Sequence, residues 1–149
     1  MIIRKATHAD LDALVALGQR FFAFSRFSAF VEFDREHARS SLAALMERGV
    51  LLVAESAGCL AGAIVGLMAP LWFNPTVSVA AELGWWVDER FRGSSAGVKL
   101  ARAFEQWGRD NGAAVVTMSD LVIEGEAPAG RLFEKLGYQV VERSQIKAV

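Results

Sequence analysis

Two apolar runs placed back to back constrain this chain most. Val50 to Glu55 and Cys59 to Ala69 are separated only by Ser56-Ala57-Gly58. Apolar runs bounded by small turn residues read as strands, so the pair predicts a hairpin of two largely buried strands. A buried hairpin needs other elements to cover it, and helical spacing on either side supplies them. Leu11, Leu14, Val15, Gly18, Phe21 and Phe22 recur as one face of a helix that Thr7 caps and Asp10 opens with an acid. Asp34 caps a second helix with a stripe of Ala38, Leu42, Leu45 and Met46, stopped at Gly49.

Further along, Pro70 and Asn74-Pro75 read as breaks before a strand from Val77 to Asp88. A third helix carries Leu100, Phe104 and Trp107 and ends near Asp110-Asn111-Gly112. Ala113 to Ser119 reads as a strand, Pro128 to Leu136 as a helix stopped by Gly137, and Tyr138 to Arg143 as a strand that Gln145 to Val149 extends. The order βααβββαβαβ mixes hairpins with helical crossovers and predicts an α+β or α/β sheet covered by helices, of which we take the α+β form in three layers, α/β/α. At 149 residues, 53% hydrophobic and 22% charged, the chain suits a single domain over 1–149 with one good core.

Charge and cysteine content narrow the function classes. A formal net charge of -1 with no basic tract removes the phosphate attraction on which nucleic-acid binders depend. No uninterrupted apolar run reaches the roughly 18 to 20 residues that a membrane span needs. The opening Met1-Ile2-Ile3-Arg4-Lys5 does not read as a signal peptide. The lone Cys59 reads as a small core residue without a disulfide partner, fitting a reducing, cytoplasmic compartment. His8 and His37 fall in first turns of predicted helices with no third ligand spaced to join them, so no metal site is read.

The strand-loop-helix unit from Val79 to Trp107 concentrates the chemistry. A helix starting near Ser95 or Ala96 leaves its first N–H groups unpaired beside a partial positive charge, a natural seat for phosphate oxygens. Gly93 and Gly97 remove side chains there, Arg90, Arg92 and Lys99 add charge, and Ser94 or Ser95 offers a hydroxyl. The same residues also fit an ordinary serine-capped helix start. Two other phosphate loops are excluded by spelling: Val98 follows Gly97 where a P-loop has lysine, and Ser95 stands at the second glycine of the dinucleotide fingerprint.

The segment from Glu82 to Leu100, ELGWWVDERFRGSSAGVKL, resembles the acetyl-CoA-binding motif of the GNAT superfamily of N-acetyltransferases. That motif is a strand ending in Val-Asp-Pro, then [RQ]-x-x-G-x-[GA] opening a helix. Arg92 and Gly97 match its ends, while Ser95 replaces the middle glycine and Glu89 the proline. Gly130 to Tyr138, GRLFEKLGY, with Ala129 before it, resembles a second family segment, A-x-x-L-Y-E-K-L-G-F. The resemblance implies a mixed, largely antiparallel central sheet with a splayed parallel strand pair, flanked by helices. It also implies acetyl-CoA as cosubstrate, with the pantetheine arm along Trp86 and Val87 and the pyrophosphate on the loop Gly93, Ser94, Ser95, Ala96, Gly97 and Val98 behind Arg92. A backbone N–H near Val87 is then the donor that polarises the acetyl carbonyl.

By the same resemblance, Glu82 occupies a place where many members carry a catalytic glutamate, and strand alternation sets it on one face with Gly84 and Trp86 unless a bulge intervenes. The acceptor implied is a small-molecule or peptide amine. Phe133 fills a cofactor-side position where many members have a tyrosine acid, and Glu126 stands where relatives often have asparagine. Tyr138 falls where the family packs an aromatic. Phe24, Phe27 and Phe30 read either as core at the helix junction or as an apolar substrate pocket. Trp72 and Phe73 leave a choice between pocket wall and homodimer contact. An acyl-CoA-binding or regulatory module with little catalysis is the competing reading.

Overall fold

The structure, a computed structural model, describes residues 1–122 and 128–149. The position of Glu126 lies outside the described residues. Five strands form one sheet in the order β1 (Ile2–Lys5), β2 (Val50–Ser56), β3 (Cys59–Leu71), β4 (Asn74–Val87) and β5 (Val115–Thr117). Neighbours are antiparallel except β4 and β5, which run parallel. The predicted hairpin closes at Ala57 and Gly58, both at positive φ (49° and 77°), with Ser56 opposite Cys59. That handedness matches the twist of the flanking strands and so favours a two-residue turn.

The helices cover both faces. α1 (Leu11–Phe24) and α2 (Arg35–Arg48) lie on one side, where Leu14 packs on Leu51 and Val53 and the partly buried Leu42 and Met46 close over them. α3 (Ala96–Asp110) lies on the other and buries Ala96, Leu100 and Phe104 against Val50, Leu52, Ile64 and Ala80. A short α4 (Gly130–Leu136) sets Phe133 against Trp85 of β4. Fully buried Phe104 and Leu100, both inaccessible to solvent, make α3 the anchor that fixes the loop before it. Burying one such side chain contributes about 1.5–3 kcal/mol.

Several sequence expectations need correction. Pro70 and Pro75 do not interrupt the sheet: β3 and β4 run through them and turn at Trp72-Phe73, with Leu71 opposite Asn74. Pro70 lies past the end of β2, whose last pairing is Val50 with Gly66, so the missing N–H leaves no ladder bond unmade on that side. β5 is shorter than Ala113 to Ser119 because at one end the N–H of Ala113 turns back to Gly108 O of α3, and at the other that of Ser119 goes to the Glu82 side chain rather than to a strand. Tyr138 to Arg143 and Gln145 to Val149 form no strand among the described residues: Val140 and Val141 are 84% and 82% exposed. A three-residue β5 offers too little ladder to hold a further strand. Cys59 is exposed rather than core, as the first residue after the hairpin turn.

Candidate active site

The site forms where β4 leaves β5. Pairing between them covers only Val79, Ala80 and Ala81 against Val115, Val116 and Thr117, whereas β3 stays paired with β4 as far as Val87. From Glu82 to Val87 the β5-side edge of β4 is therefore without a strand partner among the described residues. Unmade backbone bonds at such an edge favour an extended ligand that pairs with them.

A bulge governs which side chains meet there. Gly84 lies opposite Val65 but Glu82 opposite Gly66, leaving Leu83 as the extra residue, 54% exposed. Bulges re-aim side chains, and this one resets the alternation. Ala80 faces α3 and so do Trp85 and Val87, next to Gly97, whereas Gly84 and Trp86 face α1. Glu82, Gly84 and Trp86 accordingly do not share a face.

Glu82 Oε2 accepts the Ser119 N–H at 2.9 Å, which ties the carboxylate to the chain just beyond β5. Burial pushes the Glu82 carboxyl up to about 7, and the Ser119 bond pulls it partly back. Glu82 Oε1 has no protein partner among the described residues. A carboxyl placed thus can exchange a proton near neutral pH.

The loop after β4 is built on Asp88. Its buried carboxylate accepts Arg90 N at 3.0 Å, Arg90 Nε at 2.9 Å and Arg20 Nη2 at 2.7 Å, and Asp88 N donates to Ala61 O. Arg90 chiefly, with Arg20, holds the carboxyl down to about 2. A 3₁₀ turn (Glu89–Phe91) follows, and Gly93 takes a φ of 79°, which strains any residue with a Cβ. The N–H groups of Gly93, Ser95, Gly97 and Val98 have no acceptor among the described residues, whereas Ser94 Oγ accepts Ala96 N at 3.2 Å. Ser95 thus holds the N-cap position without a side-chain bond, and the hydroxyl bond at this helix start comes from Ser94. A Cβ at Gly97 would stand 3.2 Å from Trp85 Cζ2 and 3.6 Å from Val87 Cγ2, so glycine lets α3 meet β4 there.

The remaining sequence-derived residues are distributed around this frame. The Arg92 guanidinium stacks 4.6 Å from the Trp86 ring centroid and 5.0 Å from that of Phe24, turned toward α1. Phe21 and Phe24 pack on Trp86, so α1 and the end of β4 share one aromatic cluster. A cleft of about 370 Å³ lined by Arg20, Trp86, Asp88, Glu89 and Arg90 opens beside it. Phe27 and Phe30 are 57% and 42% exposed and do not line that cleft, and Trp72 lies on the hairpin turn, 92% exposed. The structure does not bring Trp72 to Phe24. Phe133 packs between Trp85 and Tyr138. The Tyr138 hydroxyl donates to Glu105 Oε1 at 3.1 Å, and burial first, then Glu105, raises its pKa well above the usual phenol range.

Sequence reasoning missed Arg20, whose tie to Asp88 spans the fold, and the backbone of Ser119, which carries no side-chain signal. Asp88 itself was legible as a motif residue but not as the loop's anchor.

An open strand edge with a titratable carboxyl at its start thus runs into a loop of unpaired N–H groups. The chain belongs to the acetyltransferase (GNAT) family, whose profile matches residues 14–138. Glucosamine-6-phosphate N-acetyltransferase from Arabidopsis thaliana has a similar structure, with TM-score 0.76 and 17% identity over 98% of this chain and 96% of that one. Ribosomal-protein-alanine N-acetyltransferase from Brucella melitensis biovar Abortus 2308 gives TM-score 0.74 at 14% identity over 100% of both chains. A predicted acetyltransferase with acetyl-CoA from Clostridium acetobutylicum gives 0.73 at 13% identity, covering 98% and 94%. No curated protein sequence matches the chain. Among the described residues no helix is long and apolar enough to cross a membrane.

Proposed function

We propose that this chain, as a single acetyltransferase domain, transfers acetyl from acetyl-CoA to a primary amine by direct attack, with Glu82 as general base. One observation carries the reading: a carboxyl raised to about 7 stands where the β4 edge loses its partner. The unpaired N–H groups of Gly93, Ser95, Gly97 and Val98 suit a pyrophosphate, with Ser94, Ala96 and Arg92 completing the loop, and the open edge at Trp86 and Val87 suits a pantetheine amide. Acetyl-CoA supplies an acetyl group already activated as a thioester.

Glu82 Oε1 takes the proton that the ammonium must lose before its nitrogen has a lone pair with which to attack, and the second proton leaves the nitrogen for solvent as the amide forms and the carbon–sulfur bond breaks. The Ser119 N–H keeps Oε2 engaged and so orients Oε1. A β4 N–H near Val87 donates to the acetyl oxygen as charge develops there. Phe133 carries no proton and Tyr138 is engaged with Glu105, so the departing thiolate takes its proton from solvent or leaves as the anion, given a thiol pKa of about 8.5. The acceptor class is a small-molecule or peptide amine, in line with the two named relatives, and the lone cysteine suits the cytoplasm.

Thermal unfolding with acetyl-CoA, CoA, ATP and NAD tests the ligand class. Acetyl-CoA and CoA raise the midpoint with concentration, and ATP and NAD do not. No response to either CoA compound would sink the proposal. Stabilisation without acetyl transfer to any amine would instead favour a binding module, for which Phe133 in place of the family tyrosine is the specific support.

A further inference from the structure

On the α1 face of β4, hydrogen-bond donors outnumber acceptors. Arg20 and Arg90 wall the cleft beside Trp86, and the Arg92 guanidinium lies over the Trp86 and Phe24 rings at its edge. Asp88 has nothing left to offer a further cation, because its two oxygens already accept from Arg90 N, Nε and Nη2 and from Arg20 Nη2. Arg20 engages Asp88 through Nη2 alone, and Arg92 pairs with no carboxylate among the described residues. The Trp86 Nε1–H is shut off from water and donates to nothing among the described residues. A buried donor without an acceptor costs free energy, and a ligand oxygen that reaches it removes that cost.

Guanidinium forks beside an indole N–H suit a planar oxyanion, and the local charge selects its valence. Arg20, Arg90 and Arg92 stand against Asp88 and Glu89, an excess of one positive charge. Glu89 is exposed and bonds to nothing among the described residues, so a dianionic phosphate would meet an unneutralised carboxylate, whereas a single carboxylate balances the excess. The sheet separates this cleft from the seat read for the pyrophosphate. Trp85 and Val87 face Gly97 at the start of α3, but Trp86 faces Phe21 of α1, and Arg92 is turned to the Trp86 side. An anion here therefore arrives from the α1 face and not along α3. Arg92 is exposed and held by its aromatic stack, and a guanidinium–carboxylate bond outweighs an exposed cation–π contact, so the incoming carboxylate draws the side chain to itself.

We propose that the acceptor amine carries a carboxylate, seated in this cleft by Arg92 and Arg20 with the Trp86 indole N–H as a further donor. The assignment to the acceptor rests on the acetyltransferase reading; the anion site itself does not. Binding is measured first, on the full chain without acetyl-CoA. The 4 tryptophans give separate indole resonances in ¹⁵N-labelled protein, and Trp86→Phe assigns one of them. Butyrate at millimolar concentration moves the Trp86 resonance downfield with saturation, and butyramide does not. Arg92→Gln weakens the butyrate affinity about ten-fold, and Arg92→Lys restores part of it. Trp72 and Trp107 resonances that stay in place show that the variant is folded. Acetylation of 4-aminobutyrate and its longer homologues is then compared with that of alkylamines of the same length. The ratio of kcat/KM favours the amino acids about ten-fold in the wild type and falls to near one in Arg92→Gln, and any effect on acetyl-CoA is common to both amines and cancels. No butyrate shift at Trp86, an equal shift with butyramide, a shift with inorganic phosphate alone, or a preference for alkylamines would each overturn the proposal. So would a Trp86 shift caused by acetyl-CoA and absent with its 3′-dephospho form, which would give the cleft to the cosubstrate. Butyrate binding that depends on Arg92, with no amine acetylated, would leave the anion site standing and refute the acetyltransferase reading.

Discussion

Replacing Glu82 by glutamine separates the charge of this carboxyl from its shape. Its pKa is raised from 4.5 to about 7 by burial, so the fold prefers the protonated form. The folded chain keeps a proton there that the unfolded chain gives up, and stability falls as pH rises from about 4.5 to 7, the full cost being present above 7. At 1.36 kcal/mol per pKa unit, that cost is about 3 kcal/mol. Glu82→Gln keeps an oxygen for the Ser119 N–H and carries no charge, so it does not incur this cost. Denaturant unfolding at pH 4.5, 6, 7 and 8 therefore gives two curves that nearly meet at the acid end and diverge upward in pH. The variant is more stable by about 3 kcal/mol at pH 8. Asp10 and Asp88, both held low by arginines, titrate alike in the two proteins and cancel in the difference. Catalysis moves the opposite way: wild-type kcat/KM has an acid limb near pH 7, and the variant loses both that limb and about 10²-fold or more in rate. Parallel stability curves, or a variant that is the less stable one at pH 8, would refute the reasoning.

Other substitutions probe the loop and its supports. In acetyl-CoA titrations Ser95→Gly stays within a few-fold of wild type, because the backbone N–H does the binding, whereas Gly97→Leu abolishes binding, its Cβ alone standing 3.2 Å from Trp85 Cζ2. Asp88→Asn leaves Arg20 and Arg90 without a carboxylate and destabilises by about 2 kcal/mol in denaturant unfolding at pH 7. Because its pKa is held at about 2, the Asp88 contribution is complete above the unfolded value of about 4 and disappears as pH falls toward 2. Tyr138→Phe costs about 1 kcal/mol for the lost bond to Glu105 but leaves kcat within three-fold in steady-state assays.

What was legible in the chain was what local chemistry decides. Ser56-Ala57-Gly58 announced the hairpin, and Ser94 to Gly97 announced the start of α3, because a tight turn and a helix terminus each demand particular residues over a few positions. The match to the acetyltransferase family rested on that contiguous loop together with the segment from Gly130 to Tyr138. Register was not legible. The bulge at Leu83 reversed the face of Glu82 relative to Trp86, and Gly84 beside it signals that a bulge can form but not which residue is the extra one. Ties across the fold, Arg20 to Asp88 and Ser119 to Glu82, depend on which strands splay. Tyr138 to Arg143 has the composition of a strand yet forms none, since the three residues of β5 give it no edge to extend. Cys59 has the character of a core residue, but its place at the hairpin end exposes it.

Acetyl transfer itself is the most direct test. The protein is incubated with acetyl-CoA bearing a ¹³C-labelled acetyl group and a panel of small amines and peptides, and the products are followed by mass spectrometry. The account predicts a labelled N-acetyl product from at least one amine, formed in step with free CoA and suppressed in Glu82→Gln. Free CoA released without any N-acetylated amine, or equal product from the Glu82→Gln protein, would contradict it.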